Sequence, residues 1–270
     1  MDLRERSLYD SQYEHDACGI GMVVNIHGKK SHQLIDSALT VLENMQHRGA
    51  EGADGKSGDG AGIMIQIPHE FTLLQGIAVP EKGKYGTGLI FLPKEETRKI
   101  NIIKLLTDEI GQNGFKLLHV RNVPVNSDCI GKTAKESEPL IIQIYITPSS
   151  DIDGAELERK LYLLRKSIEL QIHDKDFYVV SLSCTHLIYK GMLTSRQLKE
   201  YFLDLQDTNL TSGLALVHSR FSTNTFPRWS LAQPFRMLAH NGEINTIRGN
   251  RGWMKARENL LSTPELGDVH

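Results

Sequence analysis

Apolar positions along the chain alternate between two periods. Residues 19–26 are largely apolar and β-branched and lead to Gly28, the pattern of a buried strand closed by a turn. From Ser31 onward, Leu34, Ile35, Ala38, Val41, Leu42 and Met45 recur at helical spacing behind a serine placed to cap the first turn. That helix is expected to end near Arg48 and Gly49, with Gly49 free to take a positive φ as a C-cap. Strand character resumes at 63–67 and stops at Pro68. Further strands are predicted at 88–92, 115–123, 140–147, 177–183, 214–218 and 237–240, and helices at 94–112, 154–173, 194–203 and 245–260.

Strands outnumber helices and do not alternate with them regularly, which predicts an α+β layered fold and not a doubly wound parallel sheet. A glycine-rich acidic loop occupies 49–62, a length that is often functional or mobile. Residues 126–139 are polar and charged and read as a surface excursion, at most a domain boundary. No internal repeat or low-complexity linker interrupts the chain.

Composition narrows the class of protein. The 270 residues include 31 Lys and Arg against 33 Asp and Glu, and 40% are hydrophobic, enough for a sizeable core. A formal charge of −2 gives no basic field to recruit nucleic acid or an anionic membrane. Three scattered cysteines, Cys18, Cys129 and Cys184, form neither a disulfide framework nor paired zinc knuckles, and fit a reducing cytoplasm. No apolar run approaches the roughly 20 residues that span a bilayer, and residues 1–16 are charged where a signal peptide is apolar.

Four clusters carry candidate chemistry. At 15–21 a cysteine, Cys18, follows the small Ala17 and opens a glycine-bearing strand. On local evidence a lone cysteine is more often a buried structural thiol. At 217–225 an apolar strand ends in a dense polar stretch where Arg220 offers a planar fork for a carboxylate, amid serine and threonine hydroxyls. At 240–245 Asn241 and Gly242 form a turn-prone pair whose side-chain amide and backbone N–H can converge on one oxygen, as an oxyanion requires. The fourth runs from Leu42 through Arg48, Gly49 and Ala50, and then from Asp59 to Ile63.

In order and content these clusters resemble the class II glutamine amidotransferases within the N-terminal-nucleophile hydrolases, and more closely the amidotransferase domain at the start of glutamate synthase large subunits. The resemblance covers nearly the whole chain. It implies an αββα four-layer sandwich, with residues 1–17 a propeptide and 18–270 the amidotransferase domain. It implies Cys18 as nucleophile and mature N-terminus, Arg220 on the glutamine α-carboxylate and Thr223 lining that pocket. Asn241 and Gly242 would form the oxyanion hole, and Gly49, with Arg48, would flank the substrate. It also implies L-glutamine as substrate, hydrolysed to glutamate and ammonia through a Cys18 thioester. The remaining partners would be a synthase domain in the same full-length chain and a small electron-transfer subunit. No cofactor is expected in this segment; FMN and an iron–sulfur cluster would belong to the rest.

One departure stands out. The family's carboxylate for the substrate α-ammonium is expected in an acidic, serine-rich motif downstream of Asn241, and no such motif precedes Asp268, Val269 and His270, so a domain incomplete at its C-terminus is expected. Competing readings are an uncleaved or non-catalytic module of the same fold with a regulatory or interaction role, a metal site through His15, Cys18, His27 and His32, and a peptidase pairing Cys18 with His218 or His240.

Overall fold

The computed structural model describes residues 19–222, 225–236 and 246–261. Its strands form two four-stranded sheets in which all neighbours are antiparallel. The first contains β1 (Ile20–Val24), β2 (Ala61–Gln66), β7 (His186–Gly191) and β8 (Leu214–Ser219) in the order β1-β8-β2-β7. The second contains β3 (Gly86–Leu92), β4 (Phe115–Asn122), β5 (Leu140–Pro148) and β6 (Tyr178–Val179) in the order β4-β5-β3-β6.

Side-chain alternation sorts these sheets into layers. Leu34, Ile35, Ala38, Leu39 and Leu42 of α1 (His32–Asn44) share one core with Ile63, Ile65, Ala215 and Val217 of the first sheet. In the second sheet Ile90, Leu92, Ile142, Ile144 and Ile146 pack against Leu106 and Ile110 of α3 (Glu96–Gln112) and Leu157, Leu161, Leu164 and Ile168 of α5 (Gly154–Gln171). The alternate residues Leu89, Phe91 and Ile141 turn the other way and join the first sheet's core. The result is helix, sheet, sheet, helix, the αββα sandwich expected above. Among the described residues no helix is long and apolar enough to cross a membrane.

The period of the apolar residues located most elements, and Ser31 does cap α1, accepting the Leu34 N–H at 3.3 Å. Several boundaries differ for identifiable reasons. Gly49 is not a positive-φ cap: α1 ends at Asn44, a 3-10 turn follows at Gln46–Arg48, and Gly49 is extended with φ −97° and ψ 172°. The predicted strand at 177–183 is a regular strand only over Tyr178–Val179: the Ser181 carbonyl then crosses Gly88, where a Cβ would lie 1.7 Å from it, and pairing resumes as a single bridge between Ser183 and Thr87. The helix predicted at 194–203 shrinks to α6 (Gln197–Tyr201), since Thr194 and Gln197 spend the preceding turn on a reciprocal cap, with bonds of 2.9 and 3.4 Å. The last helix, α7 (Ile247–Arg257), gives way to a 3-10 turn at Glu258–Leu260, and the strand predicted at 237–240 lies outside the described residues.

Residues 126–139 are a correction. They do not stand off the surface: Ile130 and Ala134 are buried in the main core, α4 (Lys132–Glu136) forms there, and the Trp229 indole donates to the Ala134 carbonyl at 3.1 Å. Polar composition concealed this, because most of the segment's polar side chains face solvent while Ile130, Ala134 and Glu138 are buried beneath them. Strand β7 and the short α2 (His69–Leu74) were not predicted; in β7 a fully buried Lys190 breaks the apolar signal.

Candidate active site

Arg220 follows directly on the C-terminal end of β8, and Gly49 packs close beside that strand end. The Ser219 N–H donates to the Gly19 carbonyl at 2.7 Å, extending the pairing of β1 with β8, so the entry to β1 lies beside Arg220. Cys18 is bonded to Gly19 in sequence and itself lies outside the described residues, as do Thr223, Asn241 and Gly242.

Arg220 is locked through its backbone first. Its N–H donates to the Gly60 carbonyl at 2.8 Å, and its own carbonyl accepts the Ala50 N–H at 3.3 Å. Ala50 in turn accepts the Asp59 N–H at 3.0 Å. Both arms of the 49–60 loop are thereby stitched to the strand end. The half-buried guanidinium donates from Nη1 to the Asp59 carbonyl at 3.3 Å and from Nη2 to the Thr225 hydroxyl at 2.9 Å. Burial lowers its pKa and the neighbouring Asp59 charge opposes this, and the guanidinium remains a cation. A tethered planar cation at a strand end is suited to receive a carboxylate.

Asp59 is the site residue to which the sequence reading gave no role. It is buried, and its carboxylate accepts the Ser222 N–H at 2.6 Å, while the Ser222 hydroxyl donates to the Thr225 carbonyl. Its signal in the sequence is that it is the acid set among Gly58, Gly60 and Gly62 at the entry to an apolar strand.

Gly49 is required for proximity. A Cβ there would lie 2.6 Å from the Ser219 hydroxyl, which itself accepts from Ser195 at 3.2 Å. Gly49 thus borders the Arg220 strand end, and Arg48 is half-buried at the end of the preceding turn. Gln46, Gly49, Glu51, Gly60, Ser195 and Arg220 line a crevice of about 10 Å³. A roomier cavity of about 450 Å³ lies elsewhere, between Lys94, Arg98, Lys175, Tyr178, Arg228 and Trp229, and none of the described candidate residues lines it.

The 49–60 loop, expected to be functional or mobile, is clamped. The Asp54 carboxylate accepts the Ser57 hydroxyl and the N–H groups of Ser57 (2.7 Å), Lys56 (3.1 Å) and Thr133 (3.1 Å). These donors, the Ser57 hydroxyl foremost, hold its pKa far below the ordinary carboxylate range. Gln197 Nε2 adds bonds to the carbonyls of Lys56 at 2.7 Å and Cys129 at 2.9 Å.

His218 is buried on β8 in register with Ile20 and Gly62, and His32 bonds the Leu210 carbonyl at 2.9 Å. The two described cysteines are free thiols in separate places. Burial raises the Cys129 pKa to about 11, and burial with the Glu158 carboxylate raises that of Cys184 to about 12.

The two-sheet αββα sandwich agrees with the family that the sequence matches: the chain belongs to the class-II glutamine amidotransferases, whose model matches residues 18–270. Among individual proteins it is 46% identical to a glutamate synthase [NADH] of Saccharomyces cerevisiae over 98% of this chain and 13% of that one. It is 44% identical to a glutamate synthase [NADPH] large chain of Bacillus subtilis over 98% of this chain and 18% of the relative. To a chloroplastic ferredoxin-dependent glutamate synthase of Spinacia oleracea it is 40% identical, over 98% and 17% respectively. The chain thus spans less than a fifth of the length of these relatives.

Proposed function

We propose that residues 18–270 are the glutaminase unit of a glutamate synthase, hydrolysing L-glutamine to glutamate and ammonia, and that residues 1–17 are a propeptide. The observation that carries this reading is the tethered Arg220 cation at the β8 end, next to the start of β1. The family match beginning at Cys18 supports the same boundary.

In this reading Arg220, with Thr223, takes the α-carboxylate of glutamine, and Arg48 and Gly49 form the adjoining wall. The Cys18 thiol attacks the side-chain carboxamide, and its proton passes to the Cys18 α-amine, directly or through water. A free α-amine titrates near ~7.7–8.0 and a cysteine near ~8.5, so this transfer is almost balanced, whereas an unassisted thiol is only roughly 3% ionised at pH 7. While Ala17 remains attached, that nitrogen is an amide and cannot serve. Asn241 and Gly242 hold the oxyanion, the ammonium form of the amine protonates the departing ammonia, and water then hydrolyses the γ-glutamyl thioester.

Ammonia would pass to the synthase domain of the same full-length chain for glutamate biosynthesis, with a small electron-transfer subunit as a further partner. Identities of 40–46% to relatives named for NADH, NADPH and ferredoxin argue that this region does not select the donor. FMN and an iron–sulfur cluster fit the remainder of such a protein. The residues described here do not suit a cluster, since the Cys129 and Cys184 thiols are protonated and donate to the Asn126 carbonyl and the Glu158 carboxylate.

The decisive experiment is intact-mass and N-terminal analysis of the full-length protein, combined with labelling by a glutamine-shaped electrophile and a glutaminase assay. Loss of residues 1–17, labelling confined to Cys18 and abolition of activity in Cys18→Ala are expected. Glutaminase activity with the extension retained, or undiminished in Cys18→Ala, would overturn the reading. An uncleaved chain that never labels would favour a non-catalytic module.

A further inference from the structure

A side-chain amide can be buried at little cost only where its N–H groups and its oxygen all meet partners. Gln197, the first residue of α6, is buried and meets that condition. Its Nε2 donates to the Lys56 carbonyl at 2.7 Å and to the Cys129 carbonyl at 2.9 Å, and its Oε1 accepts the Thr194 N–H at 2.9 Å. The partners belong to the 49–60 loop, the 126–139 segment and the turn that leads into α6. One side chain thus ties three separate stretches of chain together.

Lys56 precedes Asp59 by three residues, and the loop between them has no slack. A Cβ on Gly58 would lie 2.1 Å from the Leu193 carbonyl carbon and 2.2 Å from the Thr194 nitrogen, so the loop rests directly on the turn before α6. From the other side the Ser57 hydroxyl accepts the Ala134 N–H of α4 at 3.0 Å, and a Cβ on Gly131 would lie 2.4 Å from that hydroxyl. The residues that follow, Asp59 and Gly60, offer their carbonyls to the Arg220 Nη1 at 3.3 Å and to the Arg220 N–H at 2.8 Å. Gln197 is not among the described residues that line the crevice beside Arg220, so its influence on that cation passes through the loop backbone.

We propose that Gln197 is a positioning residue for glutamine binding: by riveting the 49–60 loop to α6 and to the 126–139 segment, it fixes the Asp59 and Gly60 carbonyls that aim the Arg220 guanidinium. This rests on the glutaminase reading above, in which Arg220 takes the α-carboxylate. That carboxylate keeps its charge throughout the reaction, so release of the rivet falls on KM and not on kcat.

The test uses the processed full-length enzyme with glutamine as substrate. Gln197→Met keeps the length of the side chain and removes both donors. KM is expected to rise about tenfold and kcat to stay within about threefold. Because Gln197 acts through Arg220, the two effects should not add: in an Arg220→Lys background the same substitution should lower kcat/KM by less than about twofold. If Gln197→Met does not fold, Ser57→Ala, which releases the loop from α4 instead, is expected to show a smaller rise in KM of the same kind. An unchanged KM, a fall confined to kcat, or an equal loss of kcat/KM in both backgrounds, in whichever variant folds, would overturn the proposal alone. A wild-type enzyme without glutaminase activity, or Arg220→Lys with kcat/KM unchanged, would instead overturn the functional reading on which it stands.

Discussion

Asp59 holds the turn beyond Arg220: its carboxylate accepts the Ser222 N–H at 2.6 Å while its carbonyl receives the Arg220 guanidinium at 3.3 Å. One buried residue thus ties both the cation and the backbone that follows it to the 49–60 loop. Asp59→Ala leaves the Ser222 N–H without its charged acceptor, at a cost of about 1–3 kcal/mol. On the proposed role of Arg220 the α-carboxylate would be gripped alike before and during reaction, so the expected result is a KM for glutamine raised about tenfold with kcat changed less than about threefold. Asp59→Asn, which keeps an acceptor, should raise KM less. Steady-state glutaminase kinetics on both variants checks this.

Gly62→Ala should destabilise the fold, because its Cβ would meet the Gln233 carbonyl at 2.3 Å and the Lys190 Cβ at 2.7 Å, and neither can withdraw without moving backbone. Overpacking of this kind costs about 1–3 kcal/mol, and a Tm lowered by ~2–4 °C for each kcal/mol is expected. Gly111→Ala is the control. Its Cβ meets nothing within 4 Å on an exposed face of α3, so replacing glycine in a helix should leave Tm unchanged or raise it. Thermal melts of the two variants should move in opposite directions or by clearly different amounts.

Asp54 predicts an acid-sensitive loop. Its folded pKa lies below the unfolded value near 3.8, chiefly through the Ser57 hydroxyl and then backbone N–H donors. Its contribution is therefore complete above the unfolded pKa and is lost as pH falls through the folded one. Wild type should have a higher urea midpoint than Asp54→Asn at neutral pH, and the gap should narrow only below about pH 4. A constant gap down to about pH 2 would contradict the assignment of the charge to loop stability.

The thiols give a labelling prediction. With pKa values of about 11 and about 12, Cys129 and Cys184 carry negligible thiolate near neutrality. Brief iodoacetamide treatment of the native protein near pH 8, read by peptide mass spectrometry, should leave both unmodified. Denaturant should expose both to rapid alkylation.

The sequence by itself determined the layered α+β class and most elements, because helix and strand periods are local properties: the spacing of Leu34, Ile35, Ala38 and Leu42 and the apolar runs that became β3 and β5 needed no partner to be legible. It also singled out Arg220, and the chemistry of a planar cation after an apolar strand is intrinsic to the residue. What lay beyond it depends on distant groups. Gly49 looked like a helix cap, and only the approach of Ser219 explains it. The buried Lys190 hid β7, since its acceptors are carbonyls some 40 residues away in sequence. Asp59 had no reason to matter until Gly60 and Arg220 were hydrogen-bonded across 160 positions. Local pattern chooses the elements; long-range hydrogen bonds, which no window of sequence contains, decide which side chains meet and build the site.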